Sequence, residues 1–218
     1  EPASGDEDTA IALDISTALS DGSEVLTVTI SAIPDGAALS AGTLNQDGSV
    51  TLTPDQLDGL TILPPADSDV DFALVITAIP ADGGDVATAS LEVSVAAVAD
   101  APSLSVEPAS GGQETPHHDD DGHDDDGHDD DEDSAISLQI AAALTDTDGS
   151  ESLSVTISGI PAGAILSAGI LNLDGSVTLT PEQLVGLTIL PPEDNTEDFT
   201  LIVTATSVDG SDTASTTT

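Results

Sequence analysis

Nearly every side chain of this protein that could do chemistry is a carboxylate. The chain carries 42 Asp and Glu, four His and no Lys or Arg, for a formal net charge of −42. No basic side chain is present to offset the repulsion, and single-sign charge of this size aids solubility while destabilising a compact state. Positive charge must come from outside the chain. Carboxylates are hard oxygen donors, and clustered ones suit Ca²⁺, which takes roughly six to eight oxygens in adaptable geometry. Screening by salt alone, as in a halophile protein, is the competing reading; the recurrence of acids at repeated positions favours defined sites. In the stretch Asp146-Thr-Asp148-Gly149 two carboxylates can curl round one ion, with the Gly permitting a tight turn. The stretch is not an EF-hand, because the third acidic position and the bidentate Glu at the loop's end are missing.

The second chemical feature is a tract in which His, three Asp and Gly repeat every five residues, from His117 to Asp133. It holds all four His: His117, His118, His123 and His128. Like-charge repulsion and low hydrophobicity predict an extended linker. Imidazoles among acids can chelate Zn²⁺, Ni²⁺ or Cu²⁺ weakly, and the carboxylates can hold many Ca²⁺ loosely. Protonation of these His acts on the linker, not on the flanking segments.

What must position the acids is a repeated unit. The motif Glu-Pro-Ala-Ser-Gly stands at 1–5 and again at 107–111, and Asp-Glu-Asp stands at 6–8 and 131–133. Asp-Gly-Ser-Val-Thr-Leu-Thr-Pro opens at Asp47 and at Asp174, and Gly-Leu-Thr-Ile-Leu-Pro-Pro at Gly59 and Gly186. Self-similarity on this scale signals tandem domains, not a solenoid of short repeats. The expected division is a first repeat over 1–105, a linker with the His/Asp insert over 106–130, and a second repeat over 131–218.

Each copy reads as all-β. Short runs with period-two alternation, separated by Gly, Asp and Pro, are the pattern of a sandwich. In the first copy they predict about seven strands, near 10–15, 24–31, 37–40, 49–53, 60–63, 71–79 and 86–98. Asp-Gly at Asp47 and at Asp82 marks hairpin-type turns. Thr53-Pro54 marks a capped helical turn, and Pro64-Pro65 the end of a strand. In sequence alignment Thr218 falls opposite Leu91, so the second copy is expected to lack its final strand here. Either the sequence is a window cut from a longer or processed chain, or a neighbouring molecule fills the gap by strand addition.

Composition excludes several classes. Without Cys there are no disulfides and no thiolate metal sites. With neither Met, Trp nor Tyr, and only Phe72 and Phe199 as aromatics, the cores must be built from Ile, Leu, Val and Ala. Nucleic acid and anionic membrane surfaces require basic residues, and no apolar run reaches the ~18–20 residues of a transmembrane helix. Outside the His tract there is no imidazole base for a Ser nucleophile and no cationic oxyanion clamp, so no enzyme is expected.

The motif set resembles the cadherin-like and immunoglobulin-like tandem repeats of giant type I-secreted bacterial surface proteins, of adhesin, biofilm or sheath type. The resemblance is carried by Asp-Glu-Asp-Thr-Ala-Ile at 6–11, Asp-Gly-Ser-Glu at 21–24, Ile-Pro-Asp-Gly-Ala at 33–37, the Thr-Leu-Thr-Pro segment, Asp71-Phe72, and Val-Ala-Asp-Ala-Pro at 98–102. It implies tandem immunoglobulin-like or cadherin-like β-sandwiches acting as a non-enzymatic extension module outside the cell, stiffened by Ca²⁺ where one domain's last strand meets the next domain's first loop. On that pattern the implied ligands are Glu7, Asp8, Asp21, Glu24, Asp100, Glu132, Asp133, Asp146, Asp148 and Glu151. Asp67, Asp69 and Asp71 are read as solvated turn residues. The implied partners are neighbouring repeats or copies of the same protein, as in a homopolymer. The alternative is an acidic extracellular protein that buffers metal ions or templates mineral.

Overall fold

The computed structural model describes residues 2–17, 26–81, 85–111, 134–146, 148–192 and 197–218. It contains two compact units. Unit 1 comprises Glu1–Val98 with Asp209–Asp212, and unit 2 comprises Ala99–Val208 with Thr213–Thr218.

In unit 1 the strands are β1 (Ala3–Asp6), β2 (Ile11–Ala12), β3 (Leu26–Ser31), β4 (Ala38–Leu39), β5 (Thr43–Leu44), β6 (Val50–Leu52), β7 (Thr61–Leu63), β8 (Phe72–Pro80) and β9 (Ala87–Ala96). One sheet has the order β1-β9-β8-β3-β6-β5 and the other β2-β7-β4. Among the described residues of this unit only β1 and β9 pair in parallel, with Ala3 opposite Val93 and Asp6 opposite Ala96. Two sheets split in this way, with the last two strands beside the third, are the arrangement of an immunoglobulin-like sandwich. Alternation decides what lies between the sheets. Leu26, Val28 and Ile30 of β3, Leu74 and Ile76 of β8, and Leu91, Val93 and Val95 of β9 all point inward. They meet Ile11 and Ile62 of the second sheet in one apolar core.

Unit 2 repeats this plan with β10 (Ser103–Glu107), β11 (Ile136–Ser137), β12 (Gln139–Ala143), β13 (Ser152–Ser158), β14 (Ile165–Leu166), β15 (Ile170–Leu171), β16 (Val177–Leu179), β17 (Thr188–Leu190), β18 (Ile202–Asp209) and β19 (Asp212–Thr217). Its larger sheet has the order β15-β16-β13-β18-β19, and its second sheet β11-β17-β14. Val155, Ile157, Val203 and Ala205 are fully or almost fully buried between them.

All seven strands expected in the first copy are present, and the Asp47-Gly48 and Thr53-Pro54 turns behave as their residues dictate, while the expected turn at Asp82-Gly83 lies outside the described residues. In each copy a 3-10 turn follows the Thr-Pro step, at Pro54–Gln56 and Pro181–Leu184. The Gln56 side chain accepts from the Thr53 N–H at 2.9 Å, and Gln183 does the same for Thr180. The proline doublets end β7 and β17. Gly48 and Gly175 take φ of +84° and +85°, the left-handed conformation that hairpin glycines supply.

Three strands were not expected. β1 has the sequence Ala-Ser-Gly-Asp, poor in strand-forming residues, and exists because β9 offers it a parallel edge. β5 is a two-residue pairing. β10 lies across the anticipated boundary at 105/106. It pairs antiparallel with β12, Ser103 opposite Ala143 and Glu107 opposite Gln139, so the chain joins unit 2 from Ala99 onward.

Candidate cation-binding carboxylates

In unit 1 the loop after β1 carries Glu7 and Asp8. Glu7 is buried, with 2% of its surface exposed. Its N–H bonds the Ala96 carbonyl at 3.0 Å, and its Oε1 accepts the Val98 N–H at 2.7 Å. The side chain thus ties the opening of the unit to the segment leaving β9. The Glu7 and Asp209 carboxylates approach within 4.8 Å. Asp209 is also only 2% exposed, and its Oδ2 is buried without a hydrogen-bond partner. Two unit negative charges about 5 Å apart repel by roughly 3 kcal/mol at an effective dielectric of about 20. With no Lys or Arg anywhere in the chain, neither of those cations offsets this repulsion.

A second pair lies nearby in sequence but at the surface. Asp8 Oδ1 accepts the Asp67 N–H at 3.0 Å, and the two carboxylates approach within 4.8 Å. Both residues have φ of +54°, a left-handed conformation that Asp adopts more readily than most residues. Asp67 is therefore not the isolated solvated turn residue expected. Asp71 is exposed, as expected, and its Oδ1 also accepts the Val95 N–H at 2.8 Å and holds the end of β9.

In unit 2 the acids lie on the segment before β10 and the loop before β13. Glu151, buried, accepts the Asp100 N–H on Oε1 at 2.6 Å. The Asp100 carbonyl in turn accepts the hydroxyl of the fully buried Ser207. Further clamps hold the same segment: the Thr145 hydroxyl donates to the Ala101 carbonyl at 3.2 Å, and that of Thr216 to the Pro102 carbonyl at 2.7 Å. Asp146, also buried, accepts the Asp148 N–H on Oδ1 at 2.8 Å. Asp148 Oδ1 accepts the Ser150 N–H at 2.7 Å. That backbone bond, reinforced by the Ser150 hydroxyl, holds the Asp148 carboxyl below its ordinary value, so it stays anionic. Gly149 takes φ of +91° in the expected Asp-x-Asp-Gly stretch, whose Thr147 lies outside the described residues.

The structure thus brings Asp100 to Glu151 and Asp146 to Asp148, and it buries Glu7, Asp146 and Glu151. Asp21, Glu24, Glu132, Asp133, His117, His118, His123 and His128 lie outside the described residues. Sequence reading missed Asp209. Its only signal was the Asp-Gly turn step, which does not announce burial.

The acids of the most closely matching motif serve a different purpose. Asp47 Oδ1 accepts the Ser49 hydroxyl at 2.7 Å and the Ser49 N–H at 3.1 Å, and Asp174 repeats this with Ser176 at 2.7 and 3.0 Å. In each copy the serine hydroxyl is the main cause of a lowered carboxyl pKa. These are turn-forming carboxylates.

No model of a known protein family matches the chain, and no curated protein sequence does. Among solved structures it is similar to the D00-D0 domain of intimin, at 11% identity and a TM-score of 0.29, covering 100% of this chain and 93% of that one. It is similar to murine CEACAM1b at 9% and 0.29, covering 99% and 95%, and to the titin domains Z1Z2 in complex with telethonin at 9% and 0.28, covering 100% and 91%. At these scores the immunoglobulin-like assignment rests on the strand order of unit 1, not on the neighbours. No helix among the described residues is long and apolar enough to cross a membrane.

Proposed function

We propose that this chain is a non-enzymatic, calcium-stabilised structural segment of a large secreted bacterial cell-surface protein, serving as an adhesin extension or as a subunit of a sheath or filament. The observation that carries the reading is the burial of the Glu7 and Asp209 carboxylates within 4.8 Å of each other, in a chain without Lys or Arg. A divalent cation neutralises such a pair, and several carboxylates sharing one ion suit Ca²⁺ better than Mg²⁺, which demands near-ideal octahedral geometry. Glu7 and Glu151, each fixing a backbone N–H of the segment that follows β9, couple cation binding to the ordering of that segment within their own units. The tandem sandwiches and the motif resemblance support an extracellular spacer, and no arrangement of nucleophile and base among the described residues supports catalysis.

The test is calorimetric melting of the intact chain in calcium and in excess chelator, with Mg²⁺ as control. An ion held at about 100 times its dissociation constant stabilises the folded state by about 2.7 kcal/mol, so chelation should lower the melting temperature by several degrees. An unchanged melting temperature sinks the calcium claim. The His/Asp tract favours a second reading, ion buffering. Deleting residues 113–130 separates the two: loss of most ion capacity with melting still calcium-dependent would make the tract the buffer and leave the sandwiches structural.

A further inference from the structure

Over 31–65 and 158–192 the two copies agree almost residue for residue, and the few differences have a direction. They fall at seven positions, and each of these is exposed in both units. The buried positions match without exception: Val50, Leu52, Leu57, Leu60 and Ile62 recur as Val177, Leu179, Leu184, Leu187 and Ile189. The core therefore asks for none of the changes. Yet five of the seven make the second copy more apolar. Asp35 is replaced by Ala162, Ala38 by Ile165, Thr43 by Ile170, Gln46 by Leu173 and Asp58 by Val185. Single exposed aliphatics need no explanation, but a contiguous set of them marks an interaction surface.

Four of the five belong to one side of unit 2. β14 is an edge of the second sheet and β15 an edge of the larger one, and the chain passes from one to the other through residues 167–169. Both edges therefore border the same flank of the sandwich. Ile165 is 63% exposed and stands opposite Leu190 across the ladder. Ile170 is 71% exposed, and Leu173 projects fully from the turn that follows. Leu171 stands opposite the buried Val177, so alternation turns it toward the interior. With no strand beyond β15 among the described residues, it is still 73% exposed. The same flank is stripped of charge. Residues 152–173 contain no Asp or Glu, the longest such run in the chain, whereas the counterpart run 25–46 contains Asp35. Sheet edges are usually guarded by charged side chains or Pro, and the Ile-Leu of β15 is guarded by neither.

We propose that the β14–β15 flank of unit 2 is a self-association surface, docking against the same flank of a second copy of the chain. Charge identifies the occupant. A cationic partner is held by acids, so its site would keep them, and a neutral partner is indifferent to them. Only a strongly anionic partner requires their removal, because like charges brought together in an interface are costly. A second copy, at −42, is such a partner. Ile165, Ile170, Leu171 and Leu173 then form the apolar centre of the contact, and one patch meeting itself closes as a two-fold pair. Unit 1 has Asp35, Ala38, Thr43 and Gln46 at the substituted places and is left free. The inference rests on the reading of the chain as a structural segment and names the surface through which copies meet. It does not require calcium.

The experiment is sedimentation equilibrium of the intact chain at low and high salt, each in calcium and in chelator. A dimer should form well below about 1 mM, and it should tighten several-fold as salt rises, because screening relieves repulsion between the copies. Replacing Ala162→Asp, Ile165→Ala, Ile170→Thr and Leu173→Gln together gives unit 2 the residues with which unit 1 already folds. That variant should melt as the parent does and stay monomeric. Should it unfold, Leu173→Gln alone, at a fully exposed position, should weaken the dimer several-fold. The reverse set in unit 1, Asp35→Ala, Ala38→Ile, Thr43→Ile and Gln46→Leu, should add a second docking flank and carry the chain past dimers. A monomer at every salt concentration overturns the proposal, as does a dimer that these variants leave unchanged. A dimer lost only in chelator would be bridged by cations through carboxylates, and one that salt dissolves would be held by charge; both overturn an apolar contact. A dimer whose melting ignores chelator supports this surface while sinking the calcium reading. A monomer whose melting needs calcium does the reverse.

Discussion

Ile11 and Ile136 stand in the same motif, follow the same Glu-Pro-Ala-Ser-Gly segment, and press against the same glycine. One is sealed in a core and the other lines an open groove. The difference comes from neither residue. Leu91, Val93 and Val95, from the far end of the unit, belong to the core that seals Ile11. Burial of a side chain is therefore decided by a strand distant in sequence.

The sharpest way to break this comparison is to truncate equivalent leucines. Leu74→Ala removes a fully buried side chain and should cost about 3 kcal/mol in denaturant unfolding, whereas Leu201→Ala, half-exposed, should cost about 1 kcal/mol. Equal losses would show that Leu201 is as buried in solution as Leu74. The next largest effect concerns charge. Asp209→Asn should forfeit most of the calcium-dependent gain, of order 2 kcal/mol, while leaving stability in chelator unchanged or slightly higher because one buried repulsion is gone. Melting in the two buffers reads both numbers, and a loss of equal size in each would mean that Asp209 acts without a cation.

The glycine pair gives a smaller contrast. Gly5→Ala forces a methyl against Ile11, which is locked in the core, and should cost roughly 1–3 kcal/mol. Gly111→Ala meets Ile136, which can yield into the groove, and should cost under about 1 kcal/mol. Thermal melts of the two variants decide it. The smallest effect should be identical in both units. Asp47 and Asp174 have lowered carboxyl pKa values in the folded state, from the same serine bonds. The stability they contribute is fully present above the ordinary value of 3.8 and disappears as pH falls through the lower folded one. Asp47→Asn and Asp174→Asn should therefore flatten the acid limb of the melting curve equally. Unequal flattening would mean that the two turns differ.

Much of the fold was legible because β-structure writes itself as alternation. Leu26, Val28 and Ile30 declare one face of β3, Asp-Gly-Ser declares the hairpin turn, and Thr-Pro-x-Gln declares its capped turn. β1 was illegible because Ala-Ser-Gly-Asp has no strand preference of its own, and becomes a strand only beside β9. β10 was illegible because its pairing with β12 spans the long acidic insert. The candidate acids were legible as types, through their excess and their repetition. Their environments were not: Asp8 and Asp148 are exposed, Glu7 and Asp146 are buried, and Asp209 looked like any turn residue.

The sequence by itself determined a large excess of negative charge, since 42 acids stand in a chain without Lys or Arg. It also determined two copies of a β-sandwich, because alternation and turn residues act locally. Only the tertiary structure decided which carboxylates are taken out of water and which apolar side chains the paired sheets enclose. Burial and ladder pairing depend on segments that the chain brings together from far apart, and local preference carries no record of that meeting.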